Sequence, residues 1–207
     1  MSPTTAPNQP ARRVDVIVVG GGFGGMYAVY KFRDMGLNVQ GFEAGGDLGG
    51  VWYWNRYPGA RVDLPSIDYS FGFSREIEQE WNWSEYFAAQ PELLAYIDFV
   101  ARRLDLRRHF QFSTRVTSAV WDETRALWAV TTDRGDTVEA PFCVMATGPL
   151  SIPKDPEIPG IDRFKGESDL IVWIYGITRN ILNNRLRRRG GVRLVSLEDI
   201  PQEAAPL

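Results

Sequence analysis

Three glycines followed by a carboxylate are the residues of this sequence whose types and spacing indicate chemistry. Gly20-x-Gly22-x-x-Gly25 lies between a β-branched run and a helical pattern, and Glu43 follows 18 residues after Gly25. Gly20 permits a tight turn, Gly22 lets the backbone approach a pyrophosphate, and Gly25 lets helix and strand pack closely. The N–H groups and positive dipole end of the helix attract the phosphates. A carboxylate at position 43 accepts ribose hydroxyls and repels a 2′-phosphate, which favours FAD or NAD over NADP.

The segments around this motif predict a βαβ unit. Residues 14–19 (VDVIVV) predict a strand that is buried on both faces, as in parallel sheets. Met26–Met35 predict a helix that Gly36 ends, and residues 37–42 predict a second strand. A further helix is predicted to begin at Pro91, with four apolar residues on one face: Leu93, Ile97, Val100 and Leu104.

Residues 110–146 predict short strands. Residues 115–121 and 126–132 flank a turn, and a second turn follows at 133–136, so a three-stranded antiparallel meander is expected. Residues 142–146 (FCVMA) predict another buried strand. The fold class is therefore α/β, a Rossmann-like domain with a parallel sheet and a β-meander. The expected organisation is a disordered tail over 1–13, this domain over 14–150, a Pro-rich linker over 151–168 and a divergent, non-native tail over 169–207.

Composition excludes several classes of protein. Lys and Arg number 23 against 26 Asp and Glu, so no basic excess indicates nucleic-acid binding. One cysteine, Cys143, permits no intrachain disulfide, and one histidine, His109, permits no His-based metal cluster. No apolar run approaches the ~20 residues of a membrane helix. The polar N-terminus lacks a signal-peptide core, and a cytoplasmic protein is expected.

The choice between FAD and NAD depends on a resemblance. A second glycine pair, Gly49-Gly50, and the Ala146-Thr147-Gly148 sequence after a β-meander resemble the FAD-binding families. The alternatives are an NAD dehydrogenase, an FAD-dependent disulfide reductase, or a glycine-rich turn in an ordinary α/β protein. The reductase needs a redox cysteine pair, which a single cysteine cannot supply within one chain.

Residues 49–63 narrow the resemblance to one family, the type I Baeyer–Villiger monooxygenases. They read GGVWYWNRYPGARVD and meet the family pattern G-G-x-W-x-x-x-x-Y-P-G-x-x-x-D at every fixed position. Residues 66–74 and 80–100 also resemble this family, with the phenylacetone and steroid monooxygenase branch as the nearest likeness. The resemblance covers about residues 14–167.

The resemblance implies an activity and a set of site residues. In the family, NADPH reduces FAD, and reduced FAD adds O₂ to form a C4a-peroxyflavin that converts a ketone into an ester or lactone. Asp63 would hold an active-site arginine from far downstream, and Trp52 and Tyr53 would line the flavin slot. Gly24 stands where the family commonly has serine. Besides the glycine motif, the residues implied to contact FAD are Gly24, Glu43, Val51, Trp52, Tyr53, Trp54, Asp63, Tyr69 and Val116, and those implied to lie near NADP are Arg61, Val62 and Asp63.

The resemblance stops near residue 168. The family signature F-x-G-x-x-x-H-x-x-x-W begins at Phe164, but Leu170 and Ile174 occupy its histidine and tryptophan positions. No second GxGxxG motif and no counterpart of the downstream arginine are present. The hypothesis is a reading-frame shift or rearrangement near Ser168, giving a truncated chain that is not active alone. The alternative function is a non-catalytic FAD- or nucleotide-binding remnant or interaction module.

Overall fold

The structure is a computed structural model, and it describes residues 11–150. The strands in chain order are β1 (Arg12–Arg13), β2 (Val16–Val19), β3 (Val39–Phe42), β4 (Phe110–Gln111), β5 (Val116–Asp122), β6 (Leu127–Thr132), β7 (Thr137–Ala140) and β8 (Phe142–Met145). The helices are α1 (Phe23–Asp34), α2 (Val51–Trp54), α3 (Arg75–Glu80) and α4 (Gln90–Arg103), with 3-10 helices at Ser66–Tyr69 and Arg107–His109.

A four-stranded parallel sheet carries the glycine motif. Its order is β4-β3-β2-β8, and β2 pairs with both β3 and β8. All four residues of β2 are buried, as the β-branched run predicts for a strand covered on both faces. Helix α1 connects β2 to β3, which confirms the βαβ unit.

Helix α1 begins earlier than its sequence indicates. The expected start was Met26, whereas the helix starts at Phe23 and contains Gly24 and Gly25 in its first turn. Glycine is a poor helix former, so propensity places the start after the motif. Packing against β2 overrides that preference and extends the helix into the motif itself.

The second sheet has the order β1-β7-β6-β5. Strands β5, β6 and β7 are antiparallel neighbours, which confirms the predicted meander. Strand β1 pairs in parallel with β7, Arg12 opposite Val138 and Arg13 opposite Glu139. The prediction of a disordered tail is therefore wrong for Arg12 and Arg13. Both side chains are exposed, and backbone pairing with β7 holds these two residues in place. Such pairing produces no hydrophobic pattern in the sequence, so the sequence does not predict it.

Helix α4 packs an apolar face into the main core. Leu93, Ile97 and Val100 are buried as predicted, and Leu104 caps the helix end. Tyr96 is fully buried among aromatic rings, and its hydroxyl accepts a hydrogen bond from the Phe71 amide at 2.7 Å. The core thereby joins α4 to the irregular chain between β3 and α4.

Some expectations fall outside the described part of the chain. These are most of the N-terminal tail, the linker over 151–168, the tail over 169–207 and the hypothesis of a frameshift near Ser168. Within residues 11–150, no helix has the length and apolar character needed to cross a membrane. The same residues bring together no group of three or more His, Cys, Asp or Glu side chains that could hold a metal ion.

Candidate dinucleotide-binding site

At two motif positions in the turn from β2 into α1, only glycine fits. Gly20 has a φ of +108°, and a Cβ there would lie 2.4 Å from the carbonyl oxygen of Ala146. A Cβ on Gly25 would lie 1.8 Å from the carbonyl oxygen of Gly20. These contacts match the tight turn and the close packing of helix and strand that the spacing predicts.

The second glycine pair lies directly against the first. The Gly49 amide donates to the Gly21 carbonyl at 2.9 Å. Gly50 has a φ of +54°, and a Cβ there would lie 2.8 Å from the Cα of Gly22. The two glycine segments, 20–25 and 49–50, therefore form one backbone cradle whose centre excludes side chains.

The N-terminus of α1 opens into this cradle. Gly22 is its N-cap, and no side chain caps the helix. The first-turn N–H groups and the positive end of the dipole are thus available to an anionic acceptor such as a pyrophosphate. Gly24 is exposed, and the nearest atom to a Cβ built there is the Ala146 Cβ at 4.0 Å, so the site has space for the serine that the family commonly carries.

Glu43 is a buried carboxylate at the end of β3, with 5% of its surface exposed. Its Oε2 accepts a hydrogen bond from the Gly21 amide at 2.5 Å, and its Oε1 accepts one from the Gly45 amide at 2.6 Å. A carboxylate has about four lone-pair sites, so two of them remain for ribose hydroxyls. The residues present therefore fit a dinucleotide, with donors for its pyrophosphate and an acceptor for its ribose.

The aromatic rings of Trp52 and Tyr69 come together with Phe23 at the start of α1. Trp52 is 8% exposed, and its ring contacts Tyr69 edge-on at 5.8 Å. Tyr69 in turn contacts Phe23, the first residue of α1, also at 5.8 Å. Burial, and then the negative charge of Asp63, raise the pKa of the Tyr69 hydroxyl. Tyr69 thus connects Trp52 and Asp63 to the glycine motif.

Tyr53 and Trp54 have different surroundings from Trp52. The Tyr53 hydroxyl accepts a hydrogen bond from the Gly46 amide at 3.1 Å, and the Arg56 guanidinium lies 5.0 Å from the centroid of its ring. Tyr53 also lines a cavity of about 510 Å³ whose lining includes neither Glu43 nor the glycine motif. Trp54 is 50% exposed. The predicted role of Tyr53 as a wall of the flavin slot stays a prediction.

Residues 61–63 run beside the segment before α4. Arg61 donates to the Glu85 carboxylate at 2.5 Å and to the Phe87 carbonyl at 2.6 Å. Val62 is buried, and Asp63 is exposed. The guanidinium of Arg61 is therefore already paired inside this domain, and the role of these residues near NADP stays a prediction.

Val51 and Val116 are both half-buried. Val51 is the first residue of α2 and packs against the main core. Val116 begins β5, two residues after Thr114, whose amide donates to the Glu43 carbonyl at 2.9 Å. The start of β5 is thus held beside the backbone of Glu43, although about 70 residues of sequence separate the two, and the role of Val116 at FAD stays a prediction.

Several residues of the site escape the sequence analysis. The amides of Gly21 and Gly45 hold the Glu43 carboxylate, and the Gln90 side chain donates to the Trp52 carbonyl at 2.6 Å. An ion-pair network joins Asp47 to Arg107 and Asp98. Apart from Gly45, which lies two residues after Glu43, these partners are separated by 9 to 60 residues and follow no fixed spacing, so no motif points to them.

Comparisons with known proteins agree with this geometry. Residues 18–81 match the model of an NAD(P)-binding Rossmann-like domain, which confirms the predicted fold class. The chain is 48% identical over 155 residues to 2-oxo-Delta(3)-4,5,5-trimethylcyclopentenylacetyl-CoA monooxygenase of Pseudomonas putida, with 75% of the chain covered. It is 46% identical over 153 residues to a Baeyer-Villiger monooxygenase of Pseudooceanicola batsensis, with 73% of the chain covered.

A solved structure gives the same result. The chain superimposes on an oxidized steroid monooxygenase bound to NADP with a TM-score of 0.69 and 60% sequence identity, over 73% of this chain and 29% of that one. The chain spans about 28% of the length of the curated relatives that it matches.

Proposed function

We propose, on the premise that this chain is homologous to the N-terminal portion of the Baeyer–Villiger monooxygenases, that it is the FAD-binding part of such an enzyme. One observation carries the proposal. The uncapped N-terminus of α1, the Gly22–Gly50 approach and the buried Glu43 carboxylate meet in one cradle. Sequence identity of 46–48% to monooxygenases that include a Baeyer-Villiger enzyme supports this use of the cradle.

Each part of the cradle has a distinct task in binding. The first-turn N–H groups of α1 donate to the pyrophosphate, and the glycines leave space for it to approach the backbone. Glu43 accepts hydrogen bonds from the adenosine ribose through the lone pairs that Gly21 and Gly45 leave free. Trp52 and Tyr69 supply an apolar wall that excludes water from the ring system.

The activity of the whole protein is part of the same proposal. Bound FAD would supply the redox chemistry by which NADPH and O₂ convert a ketone into an ester or lactone. The substrate would be a small-molecule ketone, and no nucleic acid takes part. Asp63 would position an arginine from a later part of the enzyme. Its carboxylate is exposed, so it can remain charged and pair with the arginine without a cost of burial. A cytoplasmic location is included in the proposal.

A second candidate function is a non-catalytic FAD- or nucleotide-binding module. The observation that favours it is length, since the chain spans about 28% of the curated relatives. Under this alternative the cradle binds FAD, but added NADPH is not oxidised. The two candidates therefore make the same prediction for binding, and NADPH oxidation by the chain is compatible only with the enzyme.

The experiment is a flavin titration of the 207-residue chain. The purified protein is mixed with FAD, and binding is followed by the visible absorbance and by quenching of flavin fluorescence. Glu43→Ala and Gly22→Ala should abolish binding. Glu123→Ala is the matched control, because Glu123 is exposed in the turn between β5 and β6.

The outcomes separate the candidates. Stoichiometric FAD binding that Glu43→Ala removes and Glu123→Ala retains supports the proposed site. A wild-type chain that shows native circular dichroism and binds no FAD refutes it. If FAD binds, NADPH oxidation in air by the chain refutes the non-catalytic module, whereas its absence is expected under both candidates, since a truncated chain is not active alone.

A further inference from the structure

Arg107 joins three separate elements beside the cradle. Its Nε donates to Asp47 Oδ1 at 2.8 Å and its Nη2 donates to Asp47 Oδ2 at 3.1 Å, so the Asp47 carboxylate is held by two bonds. Nη2 also donates to Asp98 Oδ1 of α4 at 2.8 Å. Arg107 itself begins the 3-10 helix that precedes β4. The guanidinium thus ties a loop after β3 to the middle of α4.

That loop, residues 44–50, forms one side of the cradle. The Gly45 amide donates to the Glu43 carboxylate, and the Gly49 amide donates to the Gly21 carbonyl. Leu48 is 1% exposed, and its Cδ2 lies 2.9 Å from the position of a Cβ on Gly21. The loop therefore contacts Gly21 of the glycine motif through Leu48 and Gly49.

Asp47 is the point at which the network holds this loop. Asp47 Oδ1 accepts a hydrogen bond from Arg107 and a second one from the Leu48 amide, at 2.7 Å. One carboxylate therefore fixes both the position of the loop and the backbone that inserts Leu48 beneath the motif. Without Arg107, Asp47 would have no connection to Asp98 of α4.

We propose that Arg107 is a positioning residue for the dinucleotide site: its double bond to Asp47, anchored on Asp98, holds the 44–50 loop against the glycine motif before the dinucleotide arrives. The inference rests on the proposed function, since it explains how that site is preformed. Preformed sites bind more tightly because less conformational entropy is lost on binding. Arg107 contacts the loop through the Asp47 side chain, so its effect on dinucleotide binding is indirect.

The planar guanidinium is suited to this task and a lysine is not. Two parallel N–H···O bonds fix the direction of the carboxylate as well as its distance. The side chain of Arg107 is 32% exposed, so water screens the pair only in part. The loss of this anchor should raise the dissociation constant for FAD about fivefold to tenfold, as expected for one partly buried charged pair.

The test compares Arg107→Met with Arg103→Met in the complete chain. Arg103 is also paired with two carboxylates, Glu76 and Glu80. It lies in α4, and both partners belong to α3 and not to the 44–50 loop, which makes it a matched control. FAD affinity is measured by fluorescence quenching. Hydrogen exchange of the Gly45 and Gly49 amides is measured without FAD.

The proposal predicts a selective effect. Arg107→Met should weaken FAD binding about fivefold to tenfold and speed exchange at both amides, whereas Arg103→Met should change the dissociation constant by less than about twofold. Asp47→Asn keeps the Oδ1 acceptor for the Leu48 amide but loses the charge and the Oδ2 acceptor of Arg107 Nη2, so it should weaken FAD binding and speed exchange in the same direction as Arg107→Met, and by less. The double variant should be no worse than Arg107→Met alone. If Arg107→Met does not fold, Asp47→Asn carries the test.

Two results would overturn the inference. One is an equal change in FAD affinity for the Arg107 and Arg103 variants. The other is unchanged exchange at Gly45 and Gly49, because a purely structural ion pair would lower global stability without freeing this loop in particular. Failure of the proposed function is distinguishable, since wild type and both variants would then bind no FAD, and the exchange result would still report on the loop.

Discussion

Replacement of two adjacent glycines in the first turn of α1 should have opposite effects. Gly24 and Gly25 share one helical turn and differ in what surrounds them. A Cβ on Gly25 would lie 1.8 Å from the Gly20 oxygen and 2.9 Å from the Gly20 carbonyl carbon. A Cβ on Gly24 would meet only the Ala146 Cβ, at 4.0 Å. Alanine is therefore excluded at one position and accommodated at the next.

The size of each effect follows from these distances. An ordinary contact begins near 3.4 Å, so Gly25→Ala requires α1 to move about 1.6 Å from the turn. The obstacle is backbone, which cannot rotate away as a side chain does. Overpacking of side chains costs about 1–3 kcal/mol, and we expect about 3 kcal/mol or more here. Gly24→Ala should gain up to about 0.5–1 kcal/mol from the better helix propensity of alanine.

The assay is urea and thermal unfolding followed by circular dichroism. For a chain of this size, about 1 kcal/mol corresponds to roughly 2–4 °C in the midpoint. Gly25→Ala should therefore lower the midpoint by about 6–12 °C, and Gly24→Ala should raise it by about 1–4 °C. Gly24→Ala is the matched control, because it makes the same chemical change one residue away.

One pattern of results would refute the reasoning. If Gly25→Ala unfolds within about 1 kcal/mol of the wild type, or if both variants lose the same stability, α1 is not packed against the turn as the structure has it. The close contact between helix and turn would then not explain why the motif carries glycine at position 25.

Further predictions concern a buried carboxylate, a tyrosine and a sheet edge. Glu43→Gln should lower the free energy of unfolding by about 2 kcal/mol, because its amide group would face one of two backbone N–H groups, and urea unfolding without FAD would measure this loss. Stability should fall as pH rises above 10.0, the ordinary tyrosine pKa, because the unfolded chain then loses a proton that folded Tyr69 retains. Tyr69→Phe should reduce that alkaline loss, and an unchanged profile would contradict it. Phe142 and Met145 are 61% and 59% exposed on the edge strand β8, so Phe142→Lys should reduce aggregation in light scattering, without loss of helix signal.

Local patterns determine much of this domain. The β-branched run and the glycine spacing predict β2, the turn and the helix after it, because each signal lies within one short segment. The period of α4 predicts that Leu93, Ile97 and Val100 are buried. Glu43 is identifiable in the same way, since a ribose carboxylate follows the second strand of such a unit.

Other features depend on contacts between distant segments. The approach of Gly50 to Gly22, the pairing of β1 with β7 and the bonds from Arg107 to Asp47 join residues that are 28, 126 and 60 positions apart. Backbone pairing and single ion pairs need no periodic composition, so they leave no pattern to detect. The start of α1 is also decided by tertiary contacts, because packing against β2 outweighs the poor helix propensity of glycine. The sequence alone therefore predicts which residues would meet a dinucleotide, whereas the tertiary structure decides what holds those residues in place.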